Sequence, residues 1–230
     1  MPSINENFLK LEKNYLFVNI AKKVNAYLAA NPNPAPDKTL IRMGIGDVTL
    51  PLAPCTVEAM KKGADEMGVA ETFRGYEDSG SGYDFLKKAI AGYYAKRNVS
   101  LELDEIKVND GAKSDCGNIV DIFGNDNVIL VTDPAYPVYV DSNRMSGRKI
   151  IYADSTPENG FAAMPGYSVH ADIIYLCSPN NPTGSVYTKE ELAEWVKYAK
   201  ENDAFIIFDA AYEAFITQEN VPHSNCSSCT

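Results

Sequence analysis

Four short turns in this 230-residue chain carry the residues best suited to chemistry, and each follows a short apolar run. The first is Asp110-Gly111-Ala112-Lys113-Ser114. Gly111 permits a tight turn, and a helix opening at Ala112 offers its first N–H groups and the positive end of its dipole to an anion. An ordinary strand-to-helix turn would use the same residues. The second is Asp133-Pro134-Ala135-Tyr136-Pro137, where two prolines hold Tyr136 in a stiff loop. A rigid ring there can stack on a planar ligand, or it can be a surface tyrosine in a turn. The third, Ser178-Pro179-Asn180-Asn181-Pro182-Thr183-Gly184, fixes a side-chain amide between prolines, so that Asn181 can donate to a ligand oxygen. A plain turn, with a cis bond among its options, would read the same way. The fourth is Asp209-Ala210-Ala211-Tyr212-Glu213. A carboxylate ending a buried strand is costly without a partner, and a protonated ring nitrogen would be a suitable one. The common alternative for such an aspartate is a helix N-cap.

From residue 105 onward the spacing predicts strand and helix in alternation. The expected strands are Ile106–Val108, Val128–Thr132, Ile150–Tyr152, Asp172–Cys177 and Phe205–Phe208, with helices over 112–123, 137–146 and 188–202. The strands are short, continuous apolar runs, as expected when helices cover both sheet faces. Alternation of this kind implies a mostly parallel α/β sheet, whose ligands bind at the carboxyl ends of its strands. All four turns fall at such ends. Thr188 and Glu191 fit a capping box, and Leu192, Trp195, Val196 and Ala199 form a buried stripe behind it. Upstream, helices are expected over 14–30, ending before the Asn31–Pro36 cluster, and over 54–68 and 83–97, with Phe85, Leu86, Ile90 and Tyr93 along one side of the last. Leu40–Met43 reads as a short strand.

Composition excludes several classes. A net charge of −10 argues against a nucleic-acid surface. No apolar run spans a bilayer, and the N-terminus has no signal-peptide core, so a cytoplasmic protein is expected. Five scattered cysteines do not form a disulfide framework. Cys226 and Cys229 make a lone C-x-x-C pair without a second pair or histidine, so no metal is expected and the pair reads as part of a polar tail.

Taken in order, Asp-Gly-Ala-Lys, Asp-Pro-Ala-Tyr-Pro, Asn-Asn-Pro-Thr-Gly and Asp-Ala-Ala-Tyr resemble the fold-type I, class I and II aminotransferases, which use pyridoxal 5'-phosphate (PLP). Tyr15-Leu16-Phe17, Ile41 to Thr49, Phe73-Arg74-Gly75-Tyr76 and Tyr136 to Asp141 look like the LL-diaminopimelate aminotransferase branch. The resemblance runs from residue 5 to about 224.

It implies an incomplete large domain of that fold: an N-terminal arm and small-domain segment over 1–50, a partial PLP-binding domain over 51–224, and an atypical tail over 225–230. The backbone of Ala112 and Lys113 would hold the phosphate. Tyr136 would stack on the pyridine ring, Asp209 would pair with its protonated nitrogen, and Asn181 and Tyr212 would bond its hydroxyl oxygen. Tyr76 would reach the phosphate of a neighbouring subunit, which implies a homodimer with shared sites. Tyr15, Gly46, Lys113, Tyr136 and Asn181 match substrate positions. The implied reaction moves an amino group from LL-2,6-diaminopimelate to 2-oxoglutarate, giving tetrahydrodipicolinate and glutamate, a step in lysine synthesis.

Two departures bear on this. The loop Glu77-Asp78-Ser79-Gly80-Ser81-Gly82 is one residue longer than the family's Gly-x-Glu-Gln-Gly, whose glutamate reads the distal end of the substrate. The family's Ser-Phe-Ser-Lys segment, with the Schiff-base lysine, is not among these residues, so this chain alone is expected to be inactive. The sheet's last two strands would lie between Ile106–Val108 and Phe205–Phe208. Without them an apolar edge is exposed, and poor solubility is expected. A non-catalytic PLP- or subunit-binding protein and an aminotransferase for another substrate are the alternatives.

Overall fold

The computed structural model describes residues 2–11, 16–43, 50–78, 80–166, 168–217 and 221–222. They fall into two compact units, Glu12–Tyr76 and a larger one made of Met1–Leu11 with Glu77–Thr230.

In the smaller unit, helix α1 (Leu16–Ala30) stops where the proline cluster begins. Asn31 closes it, its N–H donating to the carbonyls of Tyr27 and Leu28 and its side-chain amide also reaching the Tyr27 carbonyl. Helix α2 (Pro54–Met67) opens on a proline, whose missing N–H costs nothing in a first turn. Arg74 donates to Glu66 near its end, at 2.5 Å. Leu40–Met43 is not a strand: Ile41 and Met43 are exposed, and no ladder partner exists for them among the described residues. An apolar run needs a neighbouring strand to become one.

The larger unit holds helix α3 (Asp84–Ala95) and then a four-stranded parallel sheet. Its strands are β1 (Val128–Asp133), β2 (Lys149–Asp154), β3 (Ile173–Cys177) and β4 (Phe205–Asp209), in the order β2-β1-β3-β4. Helices α4 (Ala112–Asn118), α5 (Pro137–Met145) and α6 (Lys189–Asn202) flank it. Successive strand side chains point to opposite faces. Ile129, Val131, Ile173, Tyr175 and Cys177 therefore pack on Cys116 of α4, on Val120 just beyond it and on Tyr139 of α5. Leu130, Ile174 and Leu176 pack on Leu192, Trp195, Tyr198 and Ala199 of α6. Every residue of β3 is buried, as its uninterrupted apolar sequence requires. The expected capping box at Thr188 and Glu191 is present, with both reciprocal bonds made, and is worth about 1 kcal/mol.

One expectation is corrected here. Ile106–Val108 is extended but joins no sheet among the described residues; Val108 donates instead to the Ser81 carbonyl at 2.8 Å. Gly82 makes this approach possible: at φ +111° it packs so close that a Cβ would lie 2.5 Å from Val108. In α3, Phe85, Leu86 and Tyr93 are exposed, while Lys87 is buried with its ammonium on Ser81 Oγ at 3.0 Å. The alkyl stem of a lysine covers apolar surface as well as a leucine does.

Candidate functional site

The carboxyl ends of β1, β3 and β4 bring three of the four turns together. Asp209 ends β4 opposite Cys177 of β3. Its Oδ2 accepts from the Tyr139 hydroxyl at 2.6 Å, and its Oδ1 accepts from the Ala211 N–H at 2.9 Å. An ionised carboxylate has about four acceptor sites, so two bonds leave it capacity. Among the described residues no cation forms an ion pair with it. A half-buried carboxylate with spare acceptor sites and no counter-charge suits a protonated ring nitrogen.

Tyr136 caps the start of α5, its ring edge-on to Tyr139 with centroids 5.8 Å apart. Tyr139 stacks in turn on Tyr175, at 5.0 Å. Burial, then the neighbouring Cys177 and the Asp209 carboxylate, push the Tyr139 hydroxyl far up, so it stays protonated and donates. In the loop after β3, Asn181 donates to the Tyr212 hydroxyl through a long bond of 3.4 Å. Asn180 is buried and ties this loop to the one after β1, donating to the Pro134 carbonyl at 3.2 Å and to Thr183 Oγ1 at 2.9 Å. The Asp133–Pro134, Ser178–Pro179 and Asn181–Pro182 bonds are all cis.

The fourth turn lies alongside. Gly111, at φ +145°, adopts a conformation that side chains other than glycine's rarely reach, and it lets the chain swing into α4. The first bonds there run from Ser114 and Asp115 to the Gly111 carbonyl, so the amides of Ala112 and Lys113 come ahead of the first intrahelical bond. α4 continues as a 3-10 turn through Ile119–Ile122. Burial pushes the Cys116 thiol up to about 12, and the Asp209 charge adds to the rise. Cys116 shares a core cluster with Cys177, the β3 residue opposite Asp209, which sets α4 beside the strand ends.

Arg148, buried, donates to the carbonyls of Val120, Phe123 and Gly124 and to Asn143 Oδ1. A cation at the far end of the helical stretch favours the dipole whose positive end is at Ala112. Asn143 in turn donates to the Tyr175 hydroxyl at 3.2 Å. Tyr139, Asn143, Tyr175 and Arg148 were not singled out from sequence. One signal existed: Tyr139 lies three residues after Tyr136, the spacing that places two rings together at a helix start.

Lys113 is exposed. Tyr76 belongs to the smaller unit and is fully exposed. Tyr15, Gly46, Cys226 and Cys229 lie outside the described residues. Glu77 turns back on its own loop, its Oε2 accepting from the N–H groups of Ser81 and Gly82 at 3.0 and 3.2 Å. Among the described residues no cluster of three or more His, Cys, Asp or Glu could hold a metal ion, and no helix is long and apolar enough to cross a membrane.

The family model "Aminotransferase class I and II" matches residues 38–227. The chain belongs to this family. It is a PLP-dependent family of fold type I, and the parallel sheet is that fold's, incomplete. The chain is 53% identical to the LL-diaminopimelate aminotransferase of Lachnospira eligens over 97% of its length and 57% of that relative's. It is 51% identical to that of Methanosphaera stadtmanae, over 96% of its length and 55% of the relative's. Among solved structures, the L,L-diaminopimelate aminotransferase of Chlamydomonas reinhardtii superposes with a TM-score of 0.84 at 35% identity, covering 97% of this chain and 56% of that one. An aspartate aminotransferase from Thermotoga maritima shares the fold at a TM-score of 0.79 and 20% identity, covering 95% of this chain and 57% of that one. The chain thus spans a little over half the length of the relatives it matches.

Proposed function

We propose that these residues build the cofactor-holding part of an aminotransferase that moves an amino group from LL-2,6-diaminopimelate to 2-oxoglutarate, giving tetrahydrodipicolinate and glutamate. The observation that carries this reading is Asp209: a half-buried carboxylate at a strand end, held on both oxygens, with no cation paired to it among the described residues. PLP, when bound, withdraws electrons from the substrate α-carbon as its proton leaves. Asp209 keeps the ring nitrogen protonated, which sustains that withdrawal. Tyr136 supplies a face for the ring. Asn181 and Tyr212 converge on one point and hold the ring oxygen. The amides of Ala112 and Lys113, at the positive end of α4, receive the phosphate. Tyr136, Asn181 and Lys113, with Tyr15 and Gly46, contact substrate. Tyr76, being fully exposed, is available to a second subunit's phosphate, so a homodimer with shared sites is part of the reading.

The test is made on the protein isolated from its source cells, with its intact mass determined alongside. The reading expects bound PLP and glutamate formation that requires both LL-2,6-diaminopimelate and 2-oxoglutarate. Asp209→Ala should lower kcat by about a thousandfold or more, as loss of a transition-state charge partner does. Glutamate formed equally well from aspartate or an aromatic amino acid would overturn the substrate assignment. Absence of bound PLP would overturn the whole reading.

A further inference from the structure

Asp209 does not face the site unaided. Its Oδ2 is fixed by a tyrosine that is itself almost wholly buried, at 2% exposure. Three contacts immobilise that tyrosine. Its ring stacks on Tyr175; the Tyr175 hydroxyl accepts from Asn143; and the Asn143 carbonyl oxygen accepts from Arg148 at 3.1 Å. Asn143 also donates to the Tyr139 carbonyl at 2.8 Å, closing the set. Arg148 itself is held by three main-chain carbonyls. A carboxylate at the end of a strand would otherwise turn about its Cα–Cβ and Cβ–Cγ bonds and lower its local energy by meeting water. Here the turn is opposed at both oxygens.

We propose that Tyr139 is the positioning residue for Asp209: its hydroxyl, locked by Tyr175, Asn143 and Arg148, holds the carboxylate in the one orientation that meets the cofactor's ring nitrogen. This rests on the reading of Asp209 given above. The role is distinct from that of Tyr136, which offers a ring face. Tyr139 touches neither ring nor substrate and acts only through Asp209.

Tyr139→Phe tests it, since the ring, its volume and its stacking remain and only the hydroxyl goes. Two measurements are made on the full chain. The first needs no cofactor: the exchange rate of the Ala211 N–H, which reports whether Asp209 Oδ1 keeps its place. The expected result is exchange faster by about tenfold in the variant, with the amides of β3 and β4 unchanged. Unchanged Ala211 exchange overturns the proposal. The second is the nitrogen NMR shift of ring-labelled PLP bound to the protein, followed against pH. In Tyr139→Phe the nitrogen should give up its proton at least about one pH unit lower than in the parent, a tenfold change. Asp209→Asn serves as reference. If Asp209→Asn moves the nitrogen signal and Tyr139→Phe does not, the positioning role fails while the cofactor reading stands. If neither moves it, both fail.

Discussion

Asn180 Nδ2 donates to the carbonyl of Pro134, 3.2 Å away and 46 residues earlier in the chain, and so binds the loop after β3 to the loop after β1. The two loops carry Asn181 and Tyr136, so one buried amide sets the distance between the groups read here as holding ring oxygen and ring face. Asn180→Ala removes this bond and the bond to Thr183, leaving the part-buried Pro134 carbonyl without this donor. A loss of about 1–3 kcal/mol in urea unfolding is expected, together with weaker PLP retention. Asn180→Asp, which keeps the shape but cannot donate to Pro134, should behave like Ala. Full stability in Asn180→Asp would show that the link is idle.

The α6 face rests on Trp195, which is fully buried and donates through Nε1 to the Ala163 carbonyl at 3.1 Å. The same oxygen accepts from the Tyr187 hydroxyl at 3.2 Å. Trp195→Ala should cost about 3–5 kcal/mol through lost burial and the cavity left behind. Trp195→Phe should cost far less, because Tyr187 still satisfies the carbonyl. Near-equal losses in denaturant unfolding would mean that the hydrogen bond, not the packing, is decisive.

How far the fold could be read in advance depended on whether a segment's fate was decided locally. β3 was legible because five consecutive apolar residues have no other home than a covered strand. α6 was legible because Thr188 and Glu191 announce its start and its stripe follows at helical spacing. Ile106–Val108 is only three residues with Lys107 in the middle, so its state depends on which strand lies beside it, and that neighbour is a matter of tertiary pairing. The burial of Lys87 had no signal in the sequence, because it depends on a Ser81 oxygen delivered by a separate loop. In the site, the turn residues were legible from type and spacing. The Tyr139–Asp209 bond was not, because it joins residues 70 apart through a tyrosine no different in sequence from a core aromatic.

His170 and Asp172 form the pH-sensitive contact. Asp172 Oδ2 accepts from the Val128 N–H at 2.6 Å, which holds its carboxyl below the usual 3.8; its Oδ1 meets His170 Nε2 at 2.8 Å and, through that hydrogen bond, raises the imidazole above 6.5. The Asp172 contribution is present above its unfolded value and is lost as pH falls through the lower folded one. The His170 contribution runs the other way, complete below 6.5 and lost as pH rises through its raised folded value. The pair therefore stabilises most in mildly acidic solution. His170→Ala should lower the Tm at pH 5.5 and leave it unchanged at pH 8.5, measured by circular dichroism. An equal drop at both values would mean that the contribution is packing and not charge. The histidine is exposed, so the effect is small.

Of the cysteines described, Cys55 is exposed, whereas Cys116 and Cys177 are buried in one core cluster and both thiols are pushed up chiefly by burial. Only the thiolate reacts, so iodoacetamide at pH 8 should label Cys55 faster than Cys116 by about a hundredfold or more, read by peptide mass mapping. In denaturant the three should label alike. Rapid labelling of Cys116 in the native protein would show that α4 opens away from the strand ends, and the arrangement around Asp209 would then be a transient one.

Glu77 is where the substrate assignment meets its hardest test. The resemblance gives the corresponding glutamate the task of reading the distal end of the substrate, but here Oε2 accepts from Ser81 and Gly82 and folds the loop on itself. Ser81 then receives the buried Lys87, and its carbonyl accepts from Val108, so the loop's shape reaches the segment that leads into Gly111. If Glu77 is a loop-building residue, Glu77→Gln keeps an acceptor at the same place and should leave amide exchange at Ser81 and Gly82 nearly unchanged, with KM for LL-2,6-diaminopimelate within about threefold of the parent. Glu77→Ala should release both amides and weaken binding indirectly. A rise in KM of tenfold or more in Glu77→Gln, with exchange unaltered, would instead mean that the carboxylate itself meets the substrate's distal ammonium, because the loop-facing acceptor is kept while the charge and the second acceptor oxygen are lost.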